Sequence, residues 1–353
     1  MDRYHVAVVG AGLVGEQMVL ELKRRQFPLA SLKVLARTAR MVTIGNEQYQ
    51  VEAMCSGAFD GIDVAFFAGT EGEKGASMTY AQEAVAHGAM VIDNGSDFRM
   101  DPAVPLVVPE VNGEDALSHH GIIANPNCST IQMVVALAAL RQRAKLRKVV
   151  VSTYQAVSGA GRGGVTELAS QVRSLSGGVQ PIAGDVFPHV IVDNVIPQIG
   201  GFGSEGYCTE ETKMIKETRK ILHDDALRVY PTTVRVPVSN SHAESVYVEL
   251  DHFISVDDAR ELFRHYPGIR LVDERQPGPG GHQYPLPTDA SGSAEVLVGR
   301  IRADDTGEPS LSFWVVADNV LKGAATNAVQ IAEWLIAHRR AQTGAVAAIG
   351  ANR

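Results

Sequence analysis

Apolar and polar positions follow two rhythms along the first third of the chain. Residues 4–9 form an apolar run suited to a buried strand, and residues 13–25 repeat their apolar side chains at helical spacing. Further strand-like runs at 32–35 and 62–68 precede a helical stretch at 78–87, and the series continues through runs at 90–93, 106–111 and 121–124. Strands alternating with helices predict a mostly parallel sheet with crossover helices, an α/β fold class. Residues 41–54, two β-like arms about Gly45-Asn46, predict a hairpin inserted into that series. From about residue 146 the pattern changes. Runs at 148–153, 227–237, 245–251, 269–273, 296–302 and 311–317 come with fewer helices, which predicts an α+β second domain. Residues 200–203 and 277–281, rich in Gly and Pro, read as loops. Residues 322–340 read as a long closing helix with Ala325, Val329, Ala332 and Ile336 on one face, able to return to the first domain.

A length of 353 residues fits two domains, each large enough for its own core. Apolar residues at 45% and charged residues at 20% exclude a disordered protein and a coiled coil. The longest uncharged apolar run, residues 133–140, is far short of the roughly 20 residues of a membrane span, so no membrane partner is expected. Met1-Asp2-Arg3 passes straight into the first strand, which leaves no room for a signal peptide. Three cysteines, Cys55, Cys128 and Cys208, are an odd number in a long chain and point to a reducing cytoplasm. Lys plus Arg is 32 against Asp plus Glu 40, with no basic run, so a nucleic-acid partner is not expected. No metal centre is expected.

Candidate chemistry enters at three places. Gly10-Ala11-Gly12-Leu13-Val14-Gly15 follows the first strand and opens a helix, the context in which a G-x-G-x-x-G loop holds a dinucleotide pyrophosphate. That context makes the first domain a Rossmann-type dinucleotide-binding domain. After the second strand an NAD site carries an acid for the ribose hydroxyls, but Ala36-Arg37-Thr38-Ala39-Arg40 stands there. Arg37, Thr38 and Arg40 suit a 2′-phosphate and point to NADP. Cys128, in Asn125-Pro126-Asn127-Cys128-Ser129-Thr130, falls between the strand at 121–124 and a helical run at 131–142. A helix N-terminus favours the thiolate, which makes Cys128 the candidate nucleophile. Cys55 and Cys208 lack such surroundings and read as small buried hydrophobes. A thiolate beside a nicotinamide implies thioester redox chemistry with a proton acceptor. His242, just past a strand in a polar loop and seven residues after Arg235, is favoured among the eleven histidines.

These residues lie in longer strings that resemble the aspartate-β-semialdehyde dehydrogenase family. They are GAGLVG; DNGSDFRMDPAVPLVVPEVN from Asp93; NPNCSTIQ from Asn125; STYQAVSGAG from Ser152; EETKM from Glu210; VRVPV and SHAESV around Arg235 and His242; VGRIRAD from Val298; and WVVADNVLKGAATNAVQIAEWL from Trp314. The resemblance spans nearly the whole chain. It implies Cys128 as the acyl-thioester nucleophile, His242 as the acid/base and Gln155 as a residue orienting substrate and intermediate. It also implies Arg235 on the substrate α-carboxylate, Glu210 on its ammonium, Asn127 among the substrate contacts, and Arg99 and Lys213 on the phosphate. Ser158, Gly159 and Asn319 would line the cofactor site. The domains implied are 1–127 for NADP, with 320–353 packing back on it, and a catalytic and dimerisation domain at 128–319. The reaction implied is NADPH-dependent reduction of L-aspartyl 4-phosphate to the semialdehyde and phosphate, towards lysine, methionine and threonine, by a homodimer.

The chain departs from the family in its first loop, one residue shorter than G-A-T-G-x-V-G and without Thr, and at residues 69–77, where Glu71, Glu73 and Lys74 raise the charge. The nearest alternative, N-acetyl-glutamyl-phosphate reductase, shares the thiol chemistry but usually carries Gly where Asn127 stands. A non-catalytic nucleotide-binding relative is the other alternative, and it would not need Cys128, Gln155, Arg235 and His242 together.

Overall fold

The computed structural model describes residues 3–68, 75–274, 276 and 282–351, with side chains described as far as residue 338. Two compact units emerge: residues 1–126 with 325–353, and residues 127–324. Residues 69–74 of the charged stretch and the whole 277–281 loop therefore lie outside the described residues.

In the first unit β1 (Tyr4–Val9), α1 (Leu13–Arg24), β2 (Leu29–Ala36), β3 (Arg40–Ile44), β4 (Glu47–Ala53), β5 (Val64–Phe67), α2 (Ala76–Ala86) and β6 (Met90–Asp93) follow one another. After them come α3 (Pro109–Asn112) and β7 (Ile122–Ala124). The sheet order is β3-β4-β2-β1-β5-β6-β7. All pairs are parallel except the β3-β4 hairpin, which is antiparallel from Arg40↔Val51 to Ile44↔Glu47. Burial explains the parallel strands: β5 and β6 are buried at every position, as strands covered on both faces must be.

Residues 106–111, expected to be a strand, are not one. Leu106 makes an isolated bridge to Ala124, and Pro109 then starts α3. Proline cannot donate to a ladder but is pre-shaped for the first helical position, so the apolar run turns there.

The second unit begins with α4 (Cys128–Arg141) and β8 (Leu146–Gln155) and continues with α5 (Gly161–Ser176), α6 (Thr209–Leu222), β9 (Arg228–Arg235) and β10 (His242–Leu250). It closes with α7 (Val256–His265), β11 (Ile269–Leu271), α8 (Pro287–Ala290), β12 (Val296–Ala303) and β13 (Ser310–Ala317). Its mixed sheet runs β11-β12-β13-β10-β8-β9. α4 is buried at twelve of its positions, so it serves as a core helix and not a surface one. Two boundaries differ from expectation. β9 stops at Arg235, and β10 begins at His242 with His242 opposite Ala317, so this histidine is a buried strand residue and does not lie in a polar loop. The cause is a short link, residues 236–241, ending in Ser241 at φ 72°.

The closing helix also starts later. Leu321–Ala325 is a π-helical turn, and α9 (Thr326–Ala351) follows. α9 belongs to the first unit, where Ala325, Ala328, Val329, Ile331, Ala332, Leu335 and Ile336 share a core with β1 and α1. Each fully buried Val, Leu or Ile there contributes about 1.5–3 kcal/mol. Polar contacts fix the docking: Thr326 Oγ1 donates to the buried Glu21 at 2.9 Å, and Arg25 pairs with Glu333.

Candidate active site

Cys128 is the first residue of α4. Asn127 before it is extended (φ −60°, ψ 144°), and its side-chain oxygen accepts from the amides of Ser129 at 3.0 Å and Thr130 at 3.2 Å. This N-cap leaves the thiol at the positive end of the helix dipole. Asn127 is held in turn by α6. Its backbone N–H donates to Glu217 Oε2 at 2.7 Å, and its side-chain amide donates to Glu210 Oε1 at 2.8 Å. Gln155 Nε2 donates to the same oxygen at 3.1 Å, and Lys213 Nζ lies 3.9 Å from Glu210 Oε2. Asn127, Gln155, Glu210 and Lys213 are thus one connected cluster.

Parallel pairing of β8 with β9 sets Gln155 opposite Arg235 at the strand ends. Arg235 Nη1 donates to the Ala156 carbonyl at 2.7 Å, and the Ala156 amide donates to His242 Nδ1 at 3.1 Å. A Cβ placed on Gly159 would lie 2.7 Å from Arg235 Nη1 and 3.0 Å from His242 Nε2. Only glycine lets the backbone pass beneath both groups at once. Burial and then the Arg235 charge push His242 well below its ordinary range, so the ring is neutral near pH 7. Its Nε2 is buried with no hydrogen-bond partner among the described residues. Burial also lowers Arg235, opposed by the charges of Glu210 and Cys128, which places both acidic groups within electrostatic reach of the guanidinium. Near this site Ser158 Oγ contacts Asn240 Oδ1 at 3.1 Å and Asn319 Oδ1 at 3.0 Å.

The other expected residues belong to the first unit. Gly10 has φ 111°, and a Cβ on Gly15 would sit 1.8 Å from Gly10 O, so the helix start presses directly on the turn. A Cβ on Gly12 would meet nothing within 4 Å, and α1 has no side-chain cap. Open space before uncapped helix amides, including those of Leu13 and Val14, fits a pyrophosphate. Arg37, Thr38 and Arg40 are exposed just beyond β2, with Arg40 Nη1 3.3 Å from Thr38 O. Arg99 is buried and donates to Asn94 O at 2.7 Å.

The other two cysteines differ from expectation. Cys55 is exposed, in the turn after β4, and is no buried hydrophobe. Cys208 is buried but is itself the N-cap of α6, where its amide donates to Glu211 Oε2 at 2.8 Å and its sulfur lies 3.2 Å from Thr233 Oγ1. A helix-start setting is therefore not unique to Cys128. Position at a strand-to-helix turn beside Arg235 is what distinguishes it.

Sequence reasoning also missed Glu217, which braces Asn127, and Glu244, which is fully buried two residues along β10 from His242. Burial pushes the Glu244 carboxyl well above the usual range, opposed by the Gln132 side chain, so the fold favours its protonated form. An unfolded chain ionises this group above about pH 4.3 and gains stability by doing so. Native stability is therefore lost as pH rises from that point towards the folded-state pKa. Glu244→Gln keeps the shape and removes the titration. It should melt above the parent at pH 7–8, by about 2–4 °C per kcal/mol recovered, with the gap closing in acid. Calorimetric melting temperatures across that range check this, and a constant gap would show that Glu244 is ionised in the fold.

Comparison with known proteins bears on this arrangement. The profile described as "Semialdehyde dehydrogenase, NAD binding domain" matches residues 5–119, and "Semialdehyde dehydrogenase, dimerisation domain" matches residues 137–322. Aspartate-semialdehyde dehydrogenase of Aquifex aeolicus (strain VF5) is 47% identical over 94% of this chain and 98% of its own length. The Bacillus subtilis (strain 168) enzyme of the same name is 47% identical over 94% of this chain and 97% of its own. A crystal structure of aspartate semialdehyde dehydrogenase II from Vibrio cholerae complexed with ASA superposes with a TM-score of 0.89 at 40% identity, covering 95% of this chain and 99% of that one.

Proposed function

The chain belongs to the aspartate-semialdehyde dehydrogenase family of oxidoreductases, and from that membership we propose that it reduces L-aspartyl 4-phosphate with NADPH to L-aspartate 4-semialdehyde and phosphate through a thioester on Cys128. The observation that carries the proposal is the convergence in one unit of a thiol at a helix start, a buried guanidinium and a buried imidazole nitrogen that has no partner among the described residues.

Cys128 attacks the acyl carbon as thiolate; the C–S bond forms, the C–O bond to phosphate breaks, and phosphate leaves with that electron pair. NADPH, when bound, supplies the hydride that reduces the thioester carbon. The resulting alkoxide collapses, the C–S bond breaks, and the aldehyde departs with the thiolate restored. His242 acts on the adduct oxygen as a hydrogen-bond donor and not as the proton acceptor expected from the sequence, because its Nδ1 is already occupied. With the Ala156 amide bonded to Nδ1, its neutral ring carries the proton on Nε2 and meets the alkoxide as a hydrogen-bond donor. Arg235 grips the α-carboxylate in a bidentate fork, Glu210 takes the ammonium, and Asn127 and Gln155 hold Glu210 in place. Arg99 and Lys213 bind the phosphate, while Ser158, Gly159 and Asn319 border the cofactor. Two chains assemble through the second unit, whose β8 and β9 expose Val150, Tyr154 and Tyr230 together.

Phosphate-dependent oxidation of aspartate semialdehyde with NADP, run beside N-acetyl-glutamate semialdehyde, tests the reaction. Turnover of only the N-acetylated aldehyde would assign the chain to the sister chemistry.

The cofactor preference has its own test. Arg37, Thr38 and Arg40 put two guanidiniums and a hydroxyl where NAD enzymes place an acid. A charge-assisted contact contributes about 1.5–3 kcal/mol, so kcat/KM should favour NADP over NAD by about 10- to 100-fold. Arg37→Ala with Arg40→Ala should erase most of that preference in steady-state kinetics. Equal efficiency of the parent with both cofactors would remove these residues from 2′-phosphate recognition.

A further inference from the structure

We infer that the segment Asp318 to Gly323 is a positioning element that sets Cys128 and His242 relative to each other, with Gly323 controlling the nucleophile and Asn319 the histidine. The inference rests on the reading of those two residues as nucleophile and as hydrogen-bond donor to the adduct oxygen. It assigns roles that neither catalysis nor substrate binding requires of this segment.

On the nucleophile side, the π-helical turn Leu321–Ala325 passes against the start of α4. A Cβ on Gly323 would lie 2.8 Å from Cys128 Cβ and 3.2 Å from Cys128 Cα. The nearest atoms belong to the backbone and the first side-chain carbon, so no rotamer change relieves the contact. Alanine here must move the first residue of α4 or unwind the turn. The turn is anchored where it begins: the Gly323 amide donates to Asp318 O at 3.0 Å, five residues back, and Asp318 Oδ1 accepts from the amides of Val320 at 2.9 Å and Leu321 at 3.0 Å. A π turn costs helix regularity and is found mostly where a site needs it.

On the histidine side, the same anchor reaches the link before β10. Asp318 Oδ2 accepts from Asn240 Nδ2 and from the Gly292 amide, each at 2.8 Å. Asn319 Oδ1 accepts from the Ser241 amide at 2.9 Å. Ser241 is buried and holds φ 72°, a left-handed conformation that L side chains resist, and His242 is the next residue. The Asn319 oxygen therefore pins a strained backbone from which the imidazole projects, as strain kept at a site requires of its surroundings.

Two arms test this. In the first, Gly323→Ala is compared with the parent for kcat, for KM of aspartate semialdehyde, and for the pH dependence of Cys128 alkylation by iodoacetamide. The expected result is a kcat lower by about 10- to 100-fold with little change in KM, and slower thiol alkylation. A folded Gly323→Ala protein with parental kcat and alkylation overturns the nucleophile half.

The second arm needs no buried clash. Asn319→Ala should lower kcat, Asn319→Asp should retain more, and adding Ser241→Gly to Asn319→Ala should recover part of the loss, because glycine adopts φ 72° without the Asn319 bond. No recovery overturns the histidine half and leaves Asn319 to cofactor contact or general packing. Cys128→Ser serves as the control for the underlying reading. Activity surviving in that variant refutes the nucleophile assignment itself, whatever the two arms give.

Discussion

Cys128→Ser is expected to lower turnover by about a thousandfold or more, while Cys55→Ser and Cys208→Ser keep most of it. A serine hydroxyl is not ionised at neutral pH and makes a far poorer nucleophile and leaving group than a thiolate set at a helix start. Cys55 is exposed in a turn of the first unit, away from any helix start. Cys208 is the sharper comparison, because it also stands at a helix start and its helix, α6, carries Glu210, Lys213 and Glu217. Serine is among the best N-caps, so Cys208→Ser preserves that end of α6 and with it the brace on Asn127. Steady-state rates of the three variants, with the acylated residue located by mass spectrometry after digestion, decide the matter. An acyl group found on any other side chain would overturn the thioester assignment.

What could be read from the sequence followed from how local each signal is. The turn at 125–130 was legible because strand, cap and helix are contiguous, and Asn127 caps its own helix within three residues. The β3-β4 hairpin was legible for the same reason. Leu106 and its neighbours misled because an apolar run has no direction of its own, and Pro109 decided in favour of a helix. α6 went unread although Met214, Thr218, Ile221 and Leu222 recur at helical spacing. Its many charges hid the stripe, yet those charges include the groups that hold Asn127. His242 was found as a residue but misplaced as a structure, since Ser241 at φ 72° starts the strand three positions before the apolar pattern does. The contact of Gly323 with Cys128 joins positions 195 apart in the chain, and no spacing rule reaches that far.

The other large effect separates the substrate cations by reaction step. Run in the oxidative direction without phosphate, the enzyme should form one equivalent of NADPH per site in a burst and then stop, because the thioester waits for phosphate. Lys213→Ala should leave that burst intact and raise the apparent KM for phosphate by about 10- to 100-fold, the worth of one charge-assisted contact. Arg99→Ala should behave alike. Arg235 acts earlier, since a grip on the α-carboxylate places the aldehyde before any bond is made. Arg235→Lys keeps the charge but loses the planar fork, including the reach that lets Nη1 bond Ala156 O beneath His242. Misplacement of a reacting carbon by about 1 Å costs about a hundredfold, so the burst rate itself should fall to that extent. His242→Asn should slow the burst too, because the shorter amide withdraws the donor from the adduct oxygen. Rapid mixing that follows NADPH formation reads all four variants. An unaltered burst in Arg235→Lys, or a lost burst in a folded Lys213→Ala protein, would show that the carboxylate and phosphate sites have been assigned to the wrong cations.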